Sequence, residues 1–479
     1  MKKWKTNIIY SVFIVAALGS LIWWQSYNPA GFVTLSIQGM DNRITGDSVV
    51  EVIKIGEMYT SYEAVTTSGN ENWTRFRGEQ LDNISKTKIP LIDAFKSEEP
   101  PIVWSVDLGE GHAGAVIYEG KAYVLDYDEA RRADLLRCYE LSSGKELWQR
   151  GYRISIRRNH GMSRTVPALN EKYILTVGPR GQVMCLDRED GNYRWGLDMI
   201  ADYESELPYW YTGQCPLMDD DTAILVPGGK ALMVAVDCET GEILWETPNP
   251  EGWKMSHASV MPWTFGGQKM YVYSGVNGVY GIAADGAEQG KVLWSTSEWN
   301  HSVVAPSAVC MPDGKVFLAA GYGVGSMMIE VKALNGKFEV SVLDEYKTIE
   351  GLASEQQTPL FYGGKLFGIL PKDAGPMRNQ FVCVNPDDPR KILWSSGKEA
   401  RFGLGPYIIA DNKLFILSDD GELTIARLST TSWQQLDQMK ILDGHDAWAP
   451  IAIADGYMIM RDSKTMVCLD MRKCGSNEE

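Results

Sequence analysis

The feature that most constrains the fold of this chain is an internal repeat. From about residue 102 onward, a phrase of roughly 44–52 residues returns eight times, and each copy begins with a polar turn followed by two short apolar strands. The eight copies open at Ala113, Thr165, Gly213, His257, Ala305, Gln357, Gly405 and Ala449. Gly, Asp and Asn between the apolar strands are typical of hairpin turns. A period of this length predicts a β-propeller with one blade per repeat.

A second hairpin follows each opening pair and usually ends in tryptophan. The clearest copy runs from Ala235 to Glu246, and its tryptophan is Trp245. Its relatives end at Trp148, Trp195, Trp294 and Trp394, whereas one copy has Phe338 at the tryptophan position and another places Trp433 in an altered turn. A large aromatic residue that recurs at one point of every repeat is predicted to pack between neighbouring blades, which is a structural role.

The eighth repeat stops before its last strand, and the missing strand lies upstream. Residues Ile102 to Val106 form an apolar stretch that has no hairpin partner of its own. Pairing of this N-terminal strand with the last repeat closes the ring and removes its open sheet edges. The sequence therefore predicts an all-β protein, an eight-bladed β-propeller over residues 101–479 in which the N-terminal strand closes the last blade.

The N-terminus predicts a membrane anchor. Lys2, Lys3 and Lys5 form a basic tail over residues 1–6, and the uncharged apolar stretch 7–24 spans roughly 27 Å as a helix. The positive-inside rule places the tail in the cytoplasm, so the prediction is a single transmembrane signal-anchor with the propeller in the periplasm. A cleaved signal peptide, which would leave a secreted protein, is the alternative.

Residues 25–100 are rich in Ser, Thr, Asn and Gly and are predicted to be a tether with one small β patch. Residues 32–37 and 49–55 alternate enough to form its strands.

Five cysteines recur at one place in successive repeats, where equivalent positions lie too far apart for a disulfide. Buried, reduced core residues are therefore expected at Cys138, Cys185, Cys238, Cys383 and Cys468.

The charge of the chain argues against one class of partner. Lys and Arg number 46 against 62 Asp and Glu, which gives a net charge of −16. Such a surface repels the phosphate backbone, so no nucleic-acid partner is expected.

The phrase A-x-D-x-x-T-G-x-x-x-W, found here from Ala235 to Trp245, resembles the pyrroloquinoline-quinone (PQQ) repeat. That repeat builds the eight-bladed quinoprotein alcohol dehydrogenases and the propeller lipoprotein of the outer-membrane β-barrel assembly machinery. Residues 72–78 (NWTRFRG) also resemble a phrase that precedes the propeller in uncharacterised exported PQQ-like proteins. The resemblance covers about residues 72–479 and implies the fold more specifically than the function, because the repeated residues are the packing ones.

The resemblance makes PQQ with Ca²⁺ a possible cofactor. The dehydrogenases of the family commonly carry an adjacent pair of cysteines at the cofactor, and no two cysteines are adjacent in this sequence. They also need a calcium site, and no contiguous acidic loop here has that pattern. The leading prediction is therefore a ligand-binding or protein-interaction scaffold, and the alternative is a PQQ-dependent dehydrogenase with its cofactor at the axial face.

Polar side chains concentrate in the turns that open the repeats. In a propeller these turns surround one mouth of the central channel, the axial face, where function is usually found. The candidate ligand-binding residues are Arg158, His160, Arg164, Gln214, His257, Glu298, Asn300, His301, Glu355, Arg401 and His445. They predict a site for a protein partner or a small polar or anionic ligand. The alternative for each histidine is a hydrogen bond that only locks its blade.

Two more specific hypotheses use the same face. For the dehydrogenase, Arg158, Arg164 or Arg401 would bind the carboxylates of the quinone, and Glu298 or Glu355 would be the base. For a carbohydrate-binding propeller, the aromatic cluster Tyr209–Tyr211 would provide a stacking surface. No pair of histidines has the spacing of a metal site, so none is predicted.

Overall fold

The structure is a computed structural model, and it describes residues 15–20, 53–62 and 65–473. Eight antiparallel sheets follow one another along the chain, and the eight-bladed propeller predicted from the repeat is confirmed. Seven sheets contain four strands and the first contains five. We number the blades 1 to 8 in the order of the repeats.

The strands are short, and most of the innermost ones contain only two to four residues. In chain order they are β1 (Met58–Ser61), β2 (Ile102–Asp107), β3 (Val116–Tyr118), β4 (Lys121–Asp128), β5 (Ala133–Glu140), β6 (Glu146–Arg153), β7 (Ala168–Leu169), β8 (Tyr173–Val177), β9 (Gln182–Asp187), β10 (Tyr193–Asp198), β11 (Leu217–Asp219), β12 (Thr222–Leu225), β13 (Ala231–Asp237), β14 (Ile243–Pro248), β15 (Met261–Phe265), β16 (Gln268–Ser274), β17 (Val279–Ala283), β18 (Val292–Thr296), β19 (Val309–Cys310), β20 (Lys315–Ala320), β21 (Gly325–Leu334), β22 (Lys337–Tyr346), β23 (Leu360–Tyr362), β24 (Lys365–Ile369), β25 (Phe381–Asn385), β26 (Asp388–Ser395), β27 (Tyr407–Ala410), β28 (Lys413–Leu417), β29 (Glu422–Arg427), β30 (Gln435–Lys440), β31 (Ala452–Ala454), β32 (Tyr457–Arg461) and β33 (Thr465–Asp470). A short α-helix (Met199–Tyr203) follows blade 2, and a 3₁₀ turn (Gly375–Met377) lies within blade 6.

The ring closes as predicted. Strand β2 pairs antiparallel with β33 and completes blade 8, with Trp104 opposite Cys468. Strand β1 adds a fifth strand to blade 1 by pairing with β6, so the outer edge of that blade is covered by the chain itself.

The tryptophan at the end of a blade packs on a glycine of the next blade. Gly241 has φ +77°, and a Cβ there would lie 2.8 Å from the ring of Trp195. The same contact joins Trp104 of blade 8 to Gly144 of blade 1. Only glycine both adopts this conformation and leaves room for the ring, which explains the repeated Gly and Trp. The predicted packing role is therefore confirmed.

One of the two degenerate repeats, that of blade 5, differs from the prediction. In the regular blades the tryptophan pairs with the residue just before a β-bulge, as Trp245 does. In blade 5 this position is Asp344, whereas Phe338 lies closer to the hairpin turn, so the assignment of Phe338 to the tryptophan position was wrong. Asp344 instead forms an ion pair with Arg390 of blade 6 at 2.5 Å. A charge pair thus replaces the aromatic contact between these blades.

Residues 72–85, which we call the N-terminal plug, lie against the inner strands of several blades. Trp73 exchanges backbone hydrogen bonds of 2.8 Å with Ile117 of blade 1. At the other end of the plug, the backbone N–H of Ser85 donates to Ile409 of blade 7 at 2.8 Å. The side chain of Asn83 donates to the carbonyl of Tyr407 at 2.5 Å. The plug therefore connects blades 1 and 7, which lie on either side of blade 8.

The seven described cysteines are all unpaired, and the five repeated ones are buried, as predicted. Four of them pair with the tryptophan of their blade, as Cys185 does with Trp195, whereas Cys238 lies just beyond the end of β13. The thiol of Cys185 donates to the carbonyl of Cys238 in the next blade at 3.4 Å, so the prediction that all five are equivalent and far apart was wrong for this pair.

The predicted anchor and the first predicted strand of the tether fall largely outside the described residues. Of residues 7–24, only 15–20 are described, and they are helical. Within the described ranges no helix has the length and apolarity needed to cross a bilayer. Residues 32–37 lie outside the description, and residues 53–55, the described end of the second predicted strand, are not in a strand.

Candidate functional site

The axial mouth of the channel contains a cavity of about 140 Å³. Loops from most blades converge there because the turn that opens each repeat leads from an outer strand to an innermost one. The cavity lining includes the side chains of Phe76, His112, Arg164, Trp210, His257, Tyr322, Glu355 and Trp448.

The floor of the cavity comes from the N-terminal plug. Phe76 lines the cavity, and the next residue, Arg77, is buried with 4% of its surface exposed. The guanidinium of Arg77 donates to the carbonyls of Leu81, Thr358 and Pro359 at 2.7–3.2 Å. Burial lowers the pKa of Arg77 to about 10, which still leaves it charged at neutral pH. Below the cavity, the channel is therefore closed by the N-terminal plug, in which every guanidinium nitrogen of Arg77 has a hydrogen-bond partner.

Aromatic rings form the rim. The ring of Trp210 lies 5.7 Å from Tyr322 and 6.2 Å from His257, with interplanar angles of 20° and 27°. On another side, the ring of Trp448 lies 4.6 Å from that of His112. Trp210 and Tyr322 both have positive φ, +64° and +58°, a conformation that side-chain-bearing residues rarely adopt. Such strain is concentrated at functional sites.

Glu355 places a buried carboxylate beside the cavity. Only 4% of the residue is exposed, and its Oε1 accepts a hydrogen bond of 3.0 Å from the ammonium of Lys372. Its Oε2 is buried and has no hydrogen-bond partner. Leaving a buried carboxylate oxygen unpaired is unfavourable, so Glu355 has an unused capacity to accept a hydrogen bond.

Arg164 is a second charged group at the cavity. One terminal nitrogen donates to the carbonyls of Asn159, His160 and Gly161 at 2.7–3.2 Å, so the arginine holds its own loop. Its Nε is buried without a partner. Burial lowers the pKa of Arg164 to about 10.

Two histidines at the cavity are neutral at pH 7. Burial, with the nearby charge of Arg164, lowers the pKa of both His257 and His112 to about 3. The Nε2–H of His112 donates to the carbonyl of His160 at 3.1 Å, so this ring locks the loop. The ring of His257 bonds to the backbone of Tyr209, and its Nε2 has no partner. A neutral His257 bonded to a carbonyl on one side presents an acceptor on the other.

Of the residues predicted from the sequence, the structure brings Arg164, His257 and Glu355 together at the cavity. Gln214 lies beneath the face, fully buried, where its amide bonds to both backbone groups of Val226. These bonds give it a structural role.

The other predicted residues lie around the rim or on the surface. Arg158 is exposed and forms an ion pair of 2.6 Å with Glu110, and Arg401 donates to backbone carbonyls of its own region. His301 packs edge-on against Trp299 at 4.4 Å, and exposed His445 pairs with Asp446 at 2.9 Å. His160, Glu298 and Asn300 are exposed and do not line the cavity.

Several side chains at the cavity were not among the predicted ligand-binding residues. Phe76 comes from the N-terminal plug, and Tyr322 comes from a turn within blade 5 rather than from a turn that opens a repeat. Lys372, which contacts Glu355 beside the cavity, comes from a turn within blade 6. Trp448 belongs to an opening turn, for which the sequence predicted the neighbouring His445 as the binding residue. The sequence signal that could have found Phe76 is its place in the NWTRFRG phrase.

The aromatic cluster does not form a flat surface. The rings of Tyr209 and Trp210 meet at 56°, and Tyr211 is buried with its hydroxyl donating to the carbonyl of Arg157 at 2.7 Å. Stacking on a sugar needs rings that are exposed in one plane, so this arrangement gives the carbohydrate hypothesis no support.

The cavity does not fit PQQ with calcium. Of the three proposed arginines only Arg164 lines it, whereas Arg158 is paired with Glu110 and Arg401 with backbone carbonyls. Ligand pockets usually measure about 300–1,000 Å³, more than this cavity offers. Across residues 53–62 and 65–473, the His, Cys, Asp and Glu side chains form no group of three that could hold a metal ion. Phe76 occupies the space below the mouth.

Fold and site together define an eight-bladed propeller of the PQQ-repeat type. Its channel is closed by the N-terminal plug and carries a cavity at the axial face. The model of the family described as "Outer membrane protein assembly factor BamB" matches residues 90–197, 131–358 and 211–435. The chain therefore belongs to this family.

Solved structures show the same fold at low identity. BamB from Moraxella catarrhalis is 12% identical with a TM-score of 0.50, and the match covers 78% of this chain and 100% of that one. A europium-containing methanol dehydrogenase is 11% identical with a TM-score of 0.56, covering 81% and 89%. The quinohemoprotein alcohol dehydrogenase from Comamonas testosteroni is 12% identical with a TM-score of 0.56, covering 85% and 82%. No curated protein sequence matches the chain.

Proposed function

We propose that this protein is a binding propeller that holds a protein partner at its axial face. One observation carries the proposal: the cavity at this face is lined by buried polar side chains whose hydrogen-bonding capacity is unused. The Oε2 of Glu355, the Nε2 of His257 and the Nε1 of Trp448 all lack partners. Buried polar groups are normally paired, so a cluster of unpaired ones at a cavity supports a bound partner.

Family membership favours a role in protein interaction over a role as an enzyme. BamB is by its name an outer membrane protein assembly factor, and a factor of this kind works by contacting other proteins. The dehydrogenase-like structures share the fold alone, and the cavity does not fit their cofactor. A binding role is also consistent with a floor closed by Phe76, because a protein partner needs to contact only the rim and the cavity.

We also propose that the propeller is extracytoplasmic and tethered to a membrane by its N-terminal segment. The support comes from the sequence: lysines at positions 2, 3 and 5, followed by uncharged residues 7–24. Alkaline extraction of membranes and protease treatment of spheroplasts test this. A full-length chain that stays in the membrane pellet and is degraded from outside agrees with it. A chain that alkali releases, or that is protected, contradicts it.

Site-specific photo-crosslinking in the producing cell tests the axial partner. A photoreactive residue at position 322 should give a discrete protein adduct, because Tyr322 is at the rim and 49% exposed. The matched control is position 193, since Tyr193 is a tyrosine of similar exposure (41%) on the outer strand of blade 2.

Adduct formation at position 322 and not at position 193 supports the proposal. Equal adducts at both positions, or adducts at position 193 alone, would place the partner elsewhere.

A further inference from the structure

We propose that the axial cavity receives a basic side chain, Arg or Lys, of the partner, with its cationic group between Glu355 and His257 and beneath the rings of Trp210 and Tyr322. This inference rests on the proposed function and names the chemistry by which the partner is recognised.

The strongest support is the half-paired carboxylate of Glu355. Its Oε1 is bonded to Lys372, while its Oε2 is buried without a partner. A guanidinium or ammonium donor is the group that best compensates a buried carboxylate oxygen. The unpartnered Nε2 of His257 is an acceptor in the same cavity. Two acceptors beside one cavity call for a ligand group with several N–H donors.

Lys372 shows in this chain how a basic side chain uses the site. Its ammonium lies 3.0 Å from Glu355 and 5.3 Å from the centre of the Tyr322 ring. The contact combines a charged hydrogen bond with a cation–π interaction. The side chain of Lys372 reaches Glu355 from the solvent side and is itself largely exposed. It can therefore move away when a partner's cation enters.

The aromatic rim fits the same ligand. Trp210 and Tyr322 are stacked and face the cavity, so a planar guanidinium can lie against them. A cavity of about 140 Å³ is small for a cofactor and suits a single long side chain. The net charge of −16 attracts a basic segment from a distance.

Among the described residues that line the cavity, Arg164 is the one whose charge opposes a cation. Its terminal nitrogen is already held by three loop carbonyls. Its unpartnered Nε, with the unpartnered Nε1 of Trp448, offers two donors. The backbone carbonyls on either side of an inserted basic residue would accept from these donors. One basic residue in a peptide chain can thus satisfy four of the five unpaired groups at the cavity; the fifth is the Nδ1 of His112.

Calorimetric titration of the full-length protein with short peptides tests the inference. The probes are acetyl-Gly-Gly-Xaa-Gly-Gly-amide with arginine, lysine, citrulline or glutamate at Xaa. Citrulline has the shape of arginine without its charge. We expect the arginine or lysine peptide to bind at least tenfold more tightly than the citrulline peptide. Binding of the citrulline or glutamate peptide at equal or higher affinity overturns the inference.

Variants of the protein identify the site. Glu355→Gln should weaken binding of the basic peptide at least tenfold, whereas Glu399→Gln, the same charge change on an exposed residue outside the cavity, should leave it unchanged. Tyr322→Ala should also weaken binding, with Tyr193→Ala as its control. Thermal melting shows whether each variant is folded. Equal effects of the two glutamate substitutions would overturn the inference.

Lys372→Gln gives a result that a merely structural role would not produce. Removal of this internal competitor should raise the affinity for the basic peptide severalfold. A fall in affinity for the basic peptide would overturn the inference. It would show that Lys372 helps to hold the ligand instead of competing with it as a second cation. If no basic peptide binds but crosslinks still form at position 322, the inference fails while the proposed function stands. Loss of those crosslinks removes the function itself.

Discussion

Two arginines, the buried Arg77 of the N-terminal plug and the partly buried Arg164 of the axial cavity, are used differently. Arg77 donates from all three of its guanidinium nitrogens to carbonyls around it. Arg164 uses one nitrogen for three carbonyls and leaves its Nε unpaired. Burial lowers the pKa of both to about 10, so both remain charged. The plug end is complete by itself, whereas the axial end is completed by something that binds.

The largest expected effect comes from the complete end. Arg77→Met keeps much of the volume but leaves the carbonyls of Leu81, Thr358 and Pro359 without donors. Loss of a buried charged hydrogen-bond donor should lower the free energy of unfolding by about 3–5 kcal/mol, measured by urea denaturation. Arg153→Ala, at an exposed position, is the control and should change it by less than about 0.5 kcal/mol. Similar small effects of both would show that the plug does not stabilise the ring.

Phe76→Ala removes the floor that separates the two ends. The ring is partly buried against the core, so we expect a loss of about 2–3 kcal/mol, less than for a fully buried phenylalanine. Phe76→Leu, which keeps most of the volume, should lose less than about 1.5 kcal/mol. The midpoint of urea unfolding checks both. If the alanine variant is as stable as the leucine variant, Phe76 is not a structural floor.

A smaller effect is the pH dependence of stability that comes from His257 at the axial cavity. The folded pKa of His257 is about 3, below its ordinary 6.5, so between these values the unfolded chain binds a proton that the folded chain does not. Stability from this group is therefore present above pH 6.5 and is lost as the pH falls toward 3. Asp134 acts in the opposite direction, because burial raises its pKa to about 7 and stability falls as the pH rises from about 4 to 7.

His257→Gln isolates the histidine contribution, since Asp134 remains in both proteins. We expect the difference in stability between wild type and variant to shrink as the pH is lowered from 7 to 4. Urea unfolding at a series of pH values measures it. A difference that does not change with pH would mean that His257 binds its proton in the folded protein as readily as in the unfolded chain.

The smallest effect on stability is expected at the carboxylate of the incomplete end. Glu355→Gln removes a charge that is only half paired, so the free energy of unfolding should change by less than about 1 kcal/mol. In contrast to Arg77→Met, this small change would show that the charge of Glu355 serves binding, whereas the charge of Arg77 stabilises the fold. A large loss of stability for Glu355→Gln, measured beside Arg77→Met, would remove that distinction.

The fold could be predicted because its packing rule is local and repeated. Gly241 and Trp245 stand a few residues apart and recur in neighbouring blades, so the phrase reveals the contact. Phe338 was misplaced because a β-bulge fixes the register, and a bulge leaves no mark in a divergent repeat. The repeated Gly and Trp thus predict the architecture, whereas the β-bulge that determines the register in blade 5 could not be predicted.

The candidate site could be predicted only in part, because its residues come from distant parts of the chain. Arg164, His257 and Glu355 were found since each lies in or beside a turn that opens a repeat. Tyr322 lies in a turn within a blade, and Phe76 reaches the cavity from before the first repeat. Which polar residues point inward depends on loop length and strain, such as the positive φ of Tyr322, and sequence patterns do not encode these.

The pairing of β2 with β33 has a consequence for how the chain acquires its structure. Ile102, near the beginning of the propeller, pairs with Leu469, near its end. Strand β2 must therefore wait, unpaired and half apolar, until β33 has been synthesised. Contacts so distant in sequence form slowly, and an exposed strand edge invites association with other chains. A newly made chain is thus most vulnerable to aggregation just before β33 emerges.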